Sequence, residues 1–144
     1  MDTSEIYIKM CDCEEVQSRW KVEVGDWFFC TCKDLGTFYP MGFKPNGFGL
    51  QVLCEGDADL HNEKLINSPT DVWLPRQDQI QEMILPLGYR IQAQLLYELT
   101  NFSRQSRDMN GEYLYPSFEQ LWLAFYMYEK HSKVWTGEKW LQKK

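Results

Sequence analysis

Trp20-Lys21-Val22-Glu23-Val24-Gly25-Asp26-Trp27-Phe28-Phe29-Cys30-Thr31-Cys32 is the stretch in which the chain changes its period. Upstream of it, Ile6, Met10, Cys13, Val16 and Trp20 recur at spacings of three and four, which is one face of a helix, and Asp2 with Glu5 three residues on suits its start. From Gly25 that period is gone. Residues 27–32 form a short aromatic, β-favouring run that ends in the turn-like Lys33-Asp34-Leu35-Gly36, so a strand buried on both faces, or nearly so, is expected there.

Working outward toward the C-terminus, Phe38-Tyr39 and Leu50-Gln51-Val52-Leu53 lie among Gly42, Pro45, Asn46, Gly47 and Gly49. Short antiparallel strands with a tight turn at Pro45-Asn46-Gly47 fit that composition. Residues 55–71 are polar and lack a period, as a long surface loop would be. Val72-Trp73-Leu74 supplies one more short strand. After Pro75 a helix is predicted with Ile80, Met83 and Ile84 on one face, stopped by Pro86-Leu87-Gly88. A second follows from about Tyr89 to Phe102, its stripe being Ile91, Leu95, Leu99 and Phe102.

The last helix has the clearest signal. Ser117 with Gln120 three residues on is a capping-box pattern after Pro116, and Leu121, Ala124, Phe125 and Tyr128 make a wide apolar face. Lys130, His131 and Lys133 sit where positive charge suits the C-terminal end of a helix dipole. Val134-Trp135 and Trp140-Leu141 flank Thr136-Gly137-Glu138-Lys139, a pattern for a small hairpin that needs docking to be stable. The reading is an α+β fold: an N-terminal helix, a small antiparallel sheet, two to three packed helices and a C-terminal aromatic hairpin.

A length of 144 residues suits a single domain over residues 1–144. With 44% hydrophobic residues, including 6 Trp, 8 Tyr and 8 Phe, the chain has ample apolar volume for a core. Its formal net charge of −6 opposes nonspecific binding to nucleic-acid phosphates. No window approaches the roughly 18 apolar residues that cross a bilayer, and the start has no basic region followed by an apolar one, so no membrane association and a cytoplasmic location are expected. Five cysteines, two pairs of them spaced Cys-x-Cys, make a poor disulfide framework and point to reduced thiols.

Several groupings bear on chemistry. Cys11, Cys13, Cys30, Cys32, Cys54 and His61 contain metal-ligand types. On a strand Cys30 and Cys32 would share a side, but on a helix Cys11 and Cys13 lie about 200° apart. Zinc sites use wider spacings, so ordinary buried thiols are the simpler reading. In the acidic loop, Asp57, Asp59 and His61 alternate as ligands for a hard cation would, without matching the twelve-residue calcium loop. A solvated acidic loop accounts for them, and they are the residues a metal-assisted hydrolase would use. His61 and His131 are the sole imidazoles, and neither sits in a nucleophile motif; no phosphate-cradling glycine loop occurs. No cofactor, metal site or catalytic residue is assigned.

Two features favour recognition instead. Arg76, Gln77, Gln79 and Gln81 crowd a helix start, where free backbone donors accompany hydrogen-bonding side chains. The same residues also suit an ordinary amphipathic core helix. Trp135 and Trp140 lie in a small terminal element with little core to hide in, and exposed aromatic rings dominate interface hot spots or stack on bases. Arg76, Gln77, Gln79, Trp135 and Trp140 are therefore the candidate binding residues.

A set of blocks spread over the chain carries a resemblance: Ile8-Lys9-Met10-Cys11 with Glu15-Val16-Gln17, Trp20-Lys21 with Gly25-Asp26, residues 74–83 (Leu-Pro-Arg-Gln-Asp-Gln-Ile-Gln-Glu-Met), residues 119–125 (Glu-Gln-Leu-Trp-Leu-Ala-Phe), and Lys133-Val134-Trp135 with Gly137-Glu138 and Trp140. In these the chain resembles small, uncharacterised proteins encoded by phages and prophages of Gram-positive bacteria. The resemblance implies an origin and no specific activity. By analogy of context it implies a noncatalytic protein in the cytoplasm of a bacterial host that binds a host protein or a small nucleotide signal, as a counter-defence factor would. The alternatives are the metal-assisted hydrolase and a phage structural or assembly component, the latter implying a homo-oligomer.

Overall fold

The computed structural model describes residues 1–21, 23, 26–30, 37–43, 50–52, 71–85, 92–107 and 111–143. Outside them lie the Pro45-Asn46-Gly47 turn, nearly all of the acidic loop, with Asp57, Asp59 and His61, and the Pro86-Leu87-Gly88 stop. The fold is α+β, as the change of period indicates. Its elements are α1 (Glu5–Cys11), α2 (Glu14–Gln17), β1 (Trp27–Cys30), β2 (Thr37–Phe43), β3 (Leu50–Val52), β4 (Val72–Leu74), α3 (Gln77–Ile84), α4 (Gln92–Gln105), α5 (Phe118–His131), β5 (Lys133–Trp135) and β6 (Trp140–Gln142). The chain gathers into two compact units, one of Cys11–Pro75 and one of Met1–Met10 with Arg76–Lys144.

The first helix departs from expectation. The apolar stripe from Ile6 to Trp20 is broken, with Ile6 and Met10 on α1, Val16 on α2 and Trp20 beyond both, because Cys13 adopts an extended backbone (φ −150°, ψ 154°) and its N–H turns back to the Cys11 carbonyl at 2.8 Å. Tyr7, Met10 and Cys11 are the buried residues of α1, while Ile6 is exposed. Its start is capped by Ser4, whose hydroxyl accepts the Tyr7 N–H at 3.2 Å, and not by an Asp2–Glu5 pair. Serine three residues before a free N–H satisfies an orphan donor that Asp2 does not reach.

In the Cys11–Pro75 unit the strands form one antiparallel sheet in the order β3-β2-β1-β4. Phe28 on β1 is buried but its neighbours Trp27 and Phe29 are half-buried, so β1 alternates and is not buried on both faces. An antiparallel sheet that packs one face produces this period of two. All three residues of β4 are buried. Trp20 lies flat against Trp73, with ring centroids 6.3 Å apart and planes 2° from parallel, and tilts against Phe28 at 6.1 Å. The buried Asp26 carboxylate accepts the Trp20 indole N–H at 3.0 Å and the Glu23 backbone N–H at 2.9 Å, which compensates its removal from water.

In the other unit, Ile80 and Ile84 of α3 and Leu95 and Leu99 of α4 are buried, as their spacing indicates, and Met83 is half-buried. α5 is more deeply placed than an amphipathic helix. Every residue from Trp122 to Met127 is buried, together with Gln120, while Leu121 and Tyr128 are only half-buried. A helix apolar nearly all round belongs in the centre of its unit. Phe102 packs its ring on Phe125 at 5.5 Å, Tyr128 at 5.3 Å and Tyr115 at 6.1 Å. Among the described residues no helix is long and apolar enough to cross a membrane.

Candidate functional site

Of the candidate binding residues at the start of α3, two are occupied by the helix itself. The Arg76 backbone N–H donates to Gln79 Oε1 at 2.9 Å, the return half of a capping box. The Arg76 guanidinium reaches both carboxylate oxygens of Asp78 at 3.2 Å. Burial of Asp78 opposes ionisation, but the hydrogen bond and charge of Arg76 outweigh it and hold the carboxyl below its ordinary range. Gln77 and Gln81 are half-buried. Polar residues crowd this helix start because its orphan donors need satisfying.

Asp2, Ser4, Ser117 and Gln120 meet beneath an open cleft of about 600 Å³ that Met1, Thr3, Pro116 and Glu119 also line. The Ser117 hydroxyl caps α5 by accepting the Gln120 N–H at 3.1 Å and donates to Asp2 Oδ2 at 2.5 Å. Gln120 does not complete a capping box. Its amide donates to Asp2 Oδ2 at 2.7 Å and to Ser4 Oγ at 3.2 Å, while Asp2 Oδ1 accepts the Ser4 N–H at 2.8 Å. Partial burial works against the Asp2 charge, but hydrogen bonds from Ser117, the Ser4 backbone and Gln120 prevail and lower its pKa. A carboxylate held so firmly in its charged form is a weak base, and a serine that must lend its hydroxyl to that carboxylate is a weak nucleophile. The cluster is a latch that joins the starts of α1 and α5.

His131 lies with Nε2 3.3 Å from the buried Tyr126 hydroxyl, beside the end of α5. Among the described residues no three His, Cys, Asp or Glu side chains gather as a metal would require. Cys11 is buried and Cys13 half-buried.

The terminal hairpin presents a surface. α5 ends on Ser132, whose left-handed backbone (φ 52°) turns the chain directly into β5. Gly137 supplies φ +98° at the first central position of the turn, where a two-residue hairpin turn of the primed type asks for glycine. Thr136 and Lys139 close that turn through a backbone bond of 3.1 Å and two hydroxyl bonds. The pairing Lys133↔Gln142, Val134↔Leu141, Trp135↔Trp140 puts the two tryptophans opposite one another. Their rings meet edge-on at 5.1 Å, and the Trp140 indole donates to the Met10 carbonyl at 2.9 Å.

Both tryptophans are half-buried and serve as the hairpin's anchor. Alternation along the strands turns the adjacent pair, Val134 and Leu141, to the other side, where they are 37% and 45% exposed. Residues that sequence reasoning passed over thus form the outward face. Part of the signal lay in the same pattern, since Val134 and Leu141 alternate with Trp135 and Trp140 and so take the opposite side of the hairpin; which side faces inward is set by the long-range bond to Met10. No protein-family model matches this chain, and neither a curated protein nor a solved structure matches it.

Proposed function

We propose that this is a noncatalytic binding protein, of phage or prophage origin, that engages a protein of its bacterial host and so acts as a counter-defence or similar host-directed factor. The observation supporting this reading is the apolar pair Val134 and Leu141, displayed on a hairpin whose tryptophans hold it against its own unit. A preorganised surface of this kind loses little entropy on association. A protein partner suits it better than a nucleotide, because Trp135 and Trp140 are half-buried and meet edge-on, which offers a base no open face-to-face platform. Origin and host follow from the resemblance to phage-encoded proteins.

The test is affinity capture from a lysate of a Gram-positive bacterium, comparing the wild-type chain with the double variant Val134→Ser, Leu141→Ser. A host protein retained by the first and lost by the second supports the proposal. Equal retention by both, or retention of nothing, overturns it.

A further inference from the structure

Five lysines and one glutamate fall among residues 130–144, so this segment carries +4 while the chain as a whole carries −6, which leaves −10 on residues 1–129. The positive end of the sequence is therefore the hairpin and its approach. Lys139 is exposed at the turn and makes no ion pair among the described residues. Lys143 is exposed just past β6, its ammonium 4.1 Å from the centre of the Tyr128 ring and hydrogen-bonded to the Tyr128 hydroxyl. Lys139 in the turn and Lys143 just past β6 stand two residues to either side of Leu141.

Resting on the binding role above, we propose that the outward face of β5–β6, with Val134 and Leu141 at its centre and Lys139 and Lys143 at its rim, docks an acidic segment of a partner protein that carries an aliphatic side chain. An apolar centre with a charged rim is the anatomy of a protein interface, in which the rim sets encounter and register and the centre sets residence. A nucleic acid fits less well. Its phosphates run beyond so small a patch onto a molecule that is otherwise strongly negative, and the hairpin's rings face inward, where bases cannot stack. A partner with acidic side chains around an apolar one matches both the charge and the centre.

The experiment uses the full chain with a short fluorescein-labelled peptide of alternating glutamate and leucine. Binding is followed by anisotropy and by amide shifts in two-dimensional NMR, with oligo-dT, polyglutamate and phosphatidylserine vesicles in parallel. Supporting results are shifts centred on Val134, Lys139 and Leu141, affinity that falls as salt is raised, and a loss of about tenfold with either Lys139→Glu or Leu141→Ser. Gln94→Ala on α4 leaves it unchanged. Lys139→Ala serves as a second variant, and the near-ultraviolet circular dichroism of the tryptophan pair reports whether each variant keeps the hairpin.

Shifts centred elsewhere, no binding, preference for oligo-dT or vesicles, or equal binding of polyglutamate overturns the inference. Its failure is separable from that of the binding role. A captured host protein that is lost with the Val134→Ser, Leu141→Ser pair but held in high salt and by Lys139→Glu keeps the role and removes the acidic partner.

Discussion

The side-chain amide of Gln17 pairs with the backbone of Trp73 as a neighbouring strand would: the Trp73 N–H donates to Gln17 Oε1 at 2.9 Å, and Gln17 Nε2 donates to the Trp73 carbonyl at 3.1 Å and to the Cys11 carbonyl at 2.8 Å. β1 occupies the other side of β4. One glutamine thus closes the rim of the sheet that a further strand would otherwise cover, which is a way of protecting an edge from unwanted pairing. Gln17→Ala removes partners from a buried strand, and the expected loss is about 2–3 kcal/mol, read as a lower midpoint in urea with an unchanged slope. Gln17→Glu should destabilise at least as much near neutral pH, since a carboxylate cannot donate to the two carbonyls. A variant as stable as the wild type would show that water replaces the amide there.

The Asp2 latch predicts a pH dependence. The folded state lowers the Asp2 pKa, so its stabilisation is present above the unfolded value, near pH 4, and is lost as pH falls through the folded value. Asp2→Ala should cost about 1 kcal/mol at pH 7, at the modest end for a charged hydrogen-bond acceptor because the group is partly solvated. The difference between variant and wild type should shrink toward zero in acid. Equal differences at pH 7 and in acid would rule out a charged latch.

Tyr115 stacks on Phe102, and burial pushes its phenol up to about 12. A raised acid favours the folded state below the unfolded value, near 10, and that contribution disappears as pH rises from there through 12. Ultraviolet titration should show a late-ionising component, and Tyr115→Phe should lower its amplitude by one tyrosine. A titration with no late step in the wild type would contradict the burial of this ring.

The paired tryptophans of the hairpin are not equivalent. Trp140 donates its indole N–H to Met10, whereas the buried Nε1 of Trp135 has no partner among the described residues. Trp140→Phe forfeits a hydrogen bond that Trp135→Phe does not, so it should destabilise by about 1 kcal/mol more. Thermal unfolding of the two variants measures the difference. Either change should also abolish the coupled near-ultraviolet signal of the edge-on rings. The reverse order of stability would mean that the Met10 bond contributes nothing.

The sequence shows these elements where local patterns and burial agree. Val72-Trp73-Leu74, Ile80 with Ile84, Leu95 with Leu99, and the hairpin around Gly137 all lie where their periods and turn residues indicate. The N-terminal helix misleads because Ile6, Met10, Cys13, Val16 and Trp20 keep a helical spacing across a break that a single extended residue, Cys13, creates. Nothing in residue type at Asp12-Cys13 signals that conformation. Ser117 and Gln120 present the opposite case. Their spacing identifies the cap, but the destination of the Gln120 amide is Asp2, more than a hundred residues away, and contacts of that separation leave no local trace. The same limit applies to the outward face of the hairpin. Trp135 and Trp140 are conspicuous by type, yet the bond to Met10 that turns them inward, and Val134 and Leu141 outward, is a long-range one.

Ser132 is the sole residue between the last turn of α5 and the first residue of β5, and its N–H is bonded back to the carbonyls of Met127 and Tyr128. Such a joint has no slack. β6 is tied to the same joint through the Lys143 N–H on the Ser132 carbonyl at 2.6 Å, so any displacement of the hairpin bears directly on the last turn of α5, where Met127 and Tyr128 hold Ser132.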